Sequence, residues 1–317
     1  MSHKRPLGST GIAISPLVFG GNVFGWTADK QTSFDILDRF TAAGFETVDT
    51  ADVYSYWKPG NVGGESETIL GEWMRVRGCR DRIILITKVG MPMAPGRKGL
   101  SAAWIERAVE DSLRRLQTDC IDVYLSHKYD PDAPHEETLA AYQKLITAGK
   151  VRAIGASNFD AAQLRTALDT AGAKGLPRYD VLQPEYNLYD RKSYDGALRD
   201  LAMAEGLGVI TYFSLAKGFL SGKYRSEADL GQSPRGGGVK GYLNERGFRI
   251  LQALDDVAAR HGAKPAEAAL AWLMARPGVT APIASATSLG QVDSLIKAAS
   301  LALAAEDTAA LEDASRD

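Results

Sequence analysis

The sequence is poor in cysteine. It has two among 317 residues, Cys79 and Cys120, far apart and without metal-ligand spacing. That excludes a disulfide scaffold and a thiolate metal site; two reduced thiols in a cytoplasmic protein are expected. Charge of one sign is lacking as well. Thirty-seven Lys and Arg against thirty-nine Asp and Glu leave a net charge of −2, which argues against a nucleic-acid or anionic-membrane surface. No apolar run approaches the roughly 18 residues that a membrane span requires. The first ten residues are polar and basic with no apolar stretch, so no signal peptide is expected. No Gly-x-Gly-x-x-Gly follows a strand: Gly20-Gly21-Asn22-Val23-Phe24-Gly25 is a loose approximation with no helix at its end. Finally, no Pro/Gly/Ser-rich linker divides the chain, so residues 1–317 are expected to form one domain.

What is present is a regular alternation of short apolar runs and helical periods. Residues 7–21 predict a small hairpin leading into a strand at 17–19. Further strands are predicted at 45–48, 82–86, 121–125, 151–154, 181–182, 209–211 and 279–283. Run 82–86 (Arg-Ile-Ile-Leu-Ile) reads as buried on both faces, as in a parallel sheet. Helices are predicted near 30–43, 66–75, 101–117, 136–148, 161–171, 191–205, 245–261, 265–275, 288–298 and 305–314. Residues 213–245 are long, irregular and glycine-rich, which marks a lid or binding loop. Eight strand–helix units in a chain of this size predict an α/β fold, a (β/α)8 TIM barrel with an N-terminal β-hairpin and a long loop after strand 7.

In such a barrel, functional side chains gather just after the strand ends. Those positions hold Asp49, Lys88, His127, Ser157-Asn158, Gln183, Tyr212 and Ser285, with Tyr54 one short loop beyond Asp49. Tyr54 is a candidate proton donor. A Lys88 ammonium nearby is expected to lower the phenol's pKa, with Asp49 orienting the lysine. His127 is placed to hydrogen-bond a substrate oxygen. Together they suit protonation of an alkoxide forming from a carbonyl. Each residue also has an ordinary structural reading: a loop aromatic, a solvated lysine, a turn cap, a structural histidine.

Six ordered blocks resemble the aldo-keto reductases. They are Phe45-Glu-Thr-Val-Asp49-Thr-Ala-Asp-Val-Tyr54, Ile86-Thr-Lys88, Asp122-Val-Tyr-Leu-Ser-His127, Ile154-Gly-Ala-Ser157-Asn158-Phe159, Gln183-Pro-Glu-Tyr-Asn187 and Ile210-Thr-Tyr212-Phe-Ser-Leu-Ala, with Gly218-Phe-Leu-Ser-Gly-Lys-Tyr224 in support. The likeness is to the bacterial and potassium-channel-β-like branch with longer loops. It implies NAD(P)H-dependent reduction of a small-molecule carbonyl substrate. Tyr54 is then the general acid, Lys88 and Asp49 tune it, and His127 orients the carbonyl. Ser157, Asn158 and Gln183 would hold the nicotinamide carboxamide, and Tyr212 would stack on its ring. Ser214, Leu215 and Gly218 would follow the pyrophosphate, and Ser285, Thr287 and Gln291 the adenosine end.

The pattern departs from the family in three places. Phe213-Ser214 stands where Ser-Pro is common, Thr287 where an arginine is common, and Leu295 where an asparagine is common. NADPH is the implied cofactor, and the missing arginine leaves NADH open. Trp26, Trp57 and Phe24 are expected to line an aromatic substrate pocket. Two other functions fit the residues: a Schiff-base lyase or aldolase using Lys88, and a slow-turnover, cofactor-binding redox sensor. Oligomeric state is not legible in the sequence.

Overall fold

The computed structural model describes residues 4–316. Residues 1–3, part of the segment expected to lack a signal peptide, and residue 317 lie outside the described residues. Eight parallel strands close a barrel: β3 (Val18–Gly20), β4 (Thr47–Asp49), β5 (Ile84–Val89), β6 (Ile121–Ser126), β7 (Val151–Ser157), β8 (Val181–Gln183), β9 (Gly208–Thr211) and β10 (Ala281–Ala284). Closure occurs where β10 pairs with β9 on one side, Ala281 beside Ile210, and with β3 on the other, Ile283 beside Val18. With no open edge in the barrel, each of these eight strands pairs with a neighbour on both sides.

Helices ring the barrel: α1 (Lys30–Ala42), α2 (Glu65–Arg77), α3 (Ala102–Leu116), α4 (His135–Thr147), α5 (Ala161–Lys174), α6 (Ala197–Ala204), α7 (Glu245–Arg260), α8 (Pro265–Ala275), α9 (Leu289–Ala298) and α10 (Ala305–Ala314). Helix α3 illustrates why they form. The Ser101 hydroxyl accepts from the Trp104 N–H at its start, Ile105, Val109, Leu113 and Leu116 are buried on one face, and Gln117 turns left-handed to end it. The main core lies between strands and helices. A second, smaller core fills the barrel interior with Val18, Ile86, Val123, Leu125, Val181, Ile210 and Ile283.

The predicted hairpin exists, displaced toward the N-terminus as β1 (Arg5–Pro6) and β2 (Ala13–Ile14). It stoppers the end of the barrel where the strands begin. Leu7, Ile12 and Ile14 join the interior core. Arg5 donates to the carbonyl of Met274 in α8 and to that of Thr280, just before β10. Ser15 donates to Glu46, just before β4.

Two expectations are corrected. The helix predicted at 191–205 is only Ala197–Ala204, because Gly196 sits at φ +90° and the preceding residues turn to bury Tyr194, whose hydroxyl reaches the Gly278 carbonyl. The irregular segment after β9 contains three short 3-10 helices, at Ala216–Ser221, Glu227–Gln232 and Gly236–Tyr242. Among the described residues no helix is long and apolar enough to cross a membrane.

Candidate active site

Strand alternation places the central group. Asp49 pairs in register with Ile86, two residues before Lys88 on β5, so Asp49, Ile86 and Lys88 share one face, and Ile86 belongs to the interior core. Lys88 is fully buried. Its ammonium donates to Asp49 Oδ2 at 2.7 Å, to the Thr50 carbonyl at 2.8 Å and to Tyr54 Oη at 2.8 Å, so all three donors are used. The Tyr54 hydroxyl donates to Asp49 Oδ2 at 3.2 Å, and Gln183 Nε2 donates to Asp49 Oδ1 at 2.8 Å.

Burial, reinforced by Asp49, pushes the Tyr54 phenol well above its ordinary value. This reverses the expected lowering by Lys88: removing a phenolate from water and setting it against a carboxylate outweighs the pull of one ammonium. Burial also draws Lys88 below the usual lysine value, against the opposing field of Asp49. The His127 ring lies 6.0 Å from the Tyr54 ring, and its Nδ1 has no partner among the described residues. Burial, and then the charge on Lys88, hold its pKa well below the usual histidine value. At neutral pH the site therefore presents a neutral phenol and a neutral imidazole.

A second arc adjoins the first. Ser157 Oγ donates to the Gln183 carbonyl at 2.9 Å, and Asn158 Nδ2 donates to the His127 carbonyl at 2.9 Å and to Ser157 Oγ at 3.1 Å. The Tyr212 hydroxyl donates to Asn158 Oδ1 at 2.6 Å. Beyond Tyr212 the backbone is strained. Phe213, Ala216 and Lys217 have φ values of +49°, +48° and +57°, and Asn158 and Ser55 are left-handed too. Each such non-glycine residue costs on the order of 1 kcal/mol. Of the six among the described residues, only Gln117 at the end of α3 lies away from this rim. Ser214 turns its hydroxyl inward to the Thr211 carbonyl, while Leu215 and Gly218 close the next turn through their backbones.

Ser285, Thr287 and Gln291 form a separate group after β10. Ser285 donates to Asn22 Oδ1 at 2.6 Å, and the Thr287 N–H donates to Gln291 Oε1 at 2.8 Å. Trp26 and Trp57 meet edge to face at 5.5 Å, and Trp57 meets Tyr54 at 6.1 Å. Trp57 thus stands beside the phenol, and Trp26 stands behind Trp57. Phe24 does not: it is fully buried and stacks on Phe19 in the core, which corrects its placement in the pocket.

Sequence reasoning missed the layer behind Lys88. Glu67 accepts from Thr87 Oγ1 at 2.6 Å and from Arg115 Nε at 2.7 Å. Beside it, both carboxyl oxygens of Asp52 are buried without a partner among the described residues. Burial, and then Glu67, push the Asp52 carboxyl well above its ordinary range. Its signal was present as the second acid of the Asp49-Thr-Ala-Asp52 run.

Comparisons with known proteins agree with this geometry. The profile of the "Aldo/keto reductase family" matches residues 16–316. The chain is 34% identical to the "Uncharacterized oxidoreductase YrpG" of Bacillus subtilis (strain 168), covering 97% of this chain and 94% of that one. It is 30% identical to "Protein tas" of Escherichia coli (strain K12), over 98% and 96% of the two chains. A "Probable voltage-gated potassium channel subunit beta" of Oryza sativa subsp. japonica is 32% identical, over 94% and 91%. The chain belongs to the aldo/keto reductase family, oxidoreductases of carbonyl groups.

Proposed function

We propose that this chain reduces aldehydes and ketones reversibly to alcohols with NAD(P)H, with Tyr54 as the general acid. The observation that carries this reading is one buried lysine donating to both the phenol and the carboxylate, with a neutral imidazole across from the phenol. Tyr54 is half-buried, and its ring lies 6.0 Å from the His127 ring, close enough for both to address one carbonyl oxygen. The phenol is held protonated, so it is ready to donate. Once the proton leaves, the phenolate lies 2.8 Å from the Lys88 ammonium, which stabilises it. Asp49 keeps the ammonium charged and aimed.

The second arc fits a nicotinamide. Ser157, Asn158 and Gln183 supply hydroxyl and amide groups for a carboxamide, and Gln183 Oε1 has no partner among the described residues. The half-buried Tyr212 ring offers a flat face, and the left-handed turn from Phe213 to Gly218 supplies a backbone strap for the diphosphate, with Lys217 inside it. When bound, that cofactor supplies the hydride. The group at Thr287 and Gln291 offers a 2′-phosphate neutral donors only, so NADPH is favoured by family likeness and not by charge.

The test is Tyr54→Phe. It should bind NADPH as the parent does, read by quenching of tryptophan fluorescence, and lose roughly 100- to 10,000-fold in kcat. Near-parental turnover would remove Tyr54 from the role. The same titration with NADH ranks the two cofactors. The lyase reading is disfavoured because each Lys88 donor already has a partner; borohydride trapping of a Lys88 adduct would revive it.

A further inference from the structure

The two halves of the central ion pair stand on neighbouring strands, and each has a threonine beside it. Thr50 follows Asp49, and Thr87 precedes Lys88. Strand alternation turns both threonines away from the barrel interior and toward α2, where two consecutive residues meet them. Thr87 Oγ1 donates to Glu67 Oε1 at 2.6 Å. The Ser66 hydroxyl donates to the Gly21 carbonyl at 2.8 Å, so its one hydrogen is used, and Thr50 Oγ1 donates to Ser66 Oγ at 2.7 Å. All four of these side chains are fully buried.

The first turn of α2 therefore fastens three strands: Gly21 just beyond β3, Thr50 just beyond β4, and Thr87 within β5. The fit is close, since a Cβ on Gly21 would lie 3.0 Å from Ser66 Oγ and 3.1 Å from the Asp49 carbonyl. Arg115 Nε donates to the Glu67 carboxylate at 2.7 Å and matches its charge. Thr50 and Ser66 also stand at the two ends of the loop that carries Tyr54, so their bond closes that loop at its neck. The three acceptors of Lys88 are Asp49, the Thr50 carbonyl and Tyr54. Each lies next to Thr50, at it, or within the loop that the Thr50–Ser66 bond closes.

We propose that Ser66 and Glu67 are positioning residues for the reaction: through Thr50 and Thr87 they hold Lys88 against Asp49 and Tyr54, and so place the ammonium that meets the phenolate. They act through the ends of β4 and β5, not by contact with the reacting atoms. This rests on the carbonyl-reductase reading above. The titratable groups around Lys88 are Asp49 on β4, Asp52 and Tyr54 in the loop after it, Glu67 on α2 and His127 after β6. Asp49 is the carboxylate in contact, and its field opposes the burial that draws the lysine down. Slackening the turn weakens that contact, so Lys88 should lose its proton at lower pH.

The experiment compares the parent with Thr87→Val, which keeps the shape and removes the hydroxyl, with Thr87→Ser, which keeps the hydroxyl, and with Ser66→Ala. Trace acetylation of Lys88 by acetic anhydride, followed across pH by mass spectrometry, reports its free amine. Lys88 should become reactive at lower pH in Thr87→Val and Ser66→Ala than in the parent, and Thr87→Ser should follow the parent. Reduction of butanal and benzaldehyde at saturating NADPH, counted per NADPH-binding site, should fall roughly 10- to 100-fold in kcat in the same two variants, with KM for the aldehyde little changed. Thr87→Ser should recover most of that loss. The proposal is overturned if Lys88 keeps the parent's pH dependence in either Thr87→Val or Ser66→Ala, or if Thr87→Ser fails alongside Thr87→Val, because the hydroxyl is then not what matters. A lower Tm with unchanged kcat per site also overturns it, since the turn is then a fastening of the fold alone. If Thr87→Val does not fold, Ser66→Ala decides. If the parent reduces neither aldehyde, the reductase reading fails, and the acetylation series still decides the alignment.

Discussion

A lysine cut off from water keeps its charge only when its donors are matched, and Lys88 matches all three with a carboxylate, a carbonyl and a phenol. The phenol is held in its acid form by the same burial. Burial draws Lys88 below the usual lysine value and drives Tyr54 well above the usual phenol value. The phenol therefore stays protonated through the range in which an exposed tyrosine ionises. The ultraviolet tyrosinate absorbance of the parent and of Tyr54→Phe should superimpose up to pH 10, apart from signals the two share. A phenolate that titrates below pH 10 and disappears in the variant would contradict the direction found here. The residues of this centre were legible in the sequence because they stand at or just beyond the ends of apolar strand runs, which are easily read. The direction of the tyrosine shift was not, since it depends on how much water reaches the phenol, and no spacing encodes that.

Among the elements, the strands were read within a few residues because parallel strands buried on both faces are nearly continuous in apolar residues. The segment after β9 was read only as long and irregular. Its order comes from contacts that have no period: Tyr224 with Ser233, Gly236 against Leu230, Tyr242 with Asp190. The close approach at Gly236 locks the short helix at Glu227–Gln232 against the one at Gly236–Tyr242. Gly236→Ala should force them apart. Limited proteolysis should then cut within residues 227–242 faster than in the parent, while the barrel strands remain protected. An unchanged cleavage pattern would mean that the segment is not held at this point.

At the scale of the whole molecule, stability and chemistry occupy opposite ends. The hairpin end contributes apolar packing through Leu7, Ile12 and Ile14, and the other end carries the strained backbone and the His127 Nδ1 that has no partner among the described residues. Leu7→Ala should therefore lower unfolding free energy by about 2–5 kcal/mol, measured by denaturant titration, without a matching change in kcat. A proportionate fall in kcat would show that the two ends are mechanically coupled. The barrel itself was the most legible feature, because eight repeats of one unit average out errors at single boundaries. The hairpin's role was less so: two-residue strands carry little pattern, and their work is done by side chains reaching the first residues of strands far along the chain.

That stopper also governs traffic. Side chains fill the barrel interior and the hairpin covers the end where the strands begin. Tyr54 is therefore approached from the opposite rim, beside Trp57. A molecule that reaches the phenol arrives and departs on that one side.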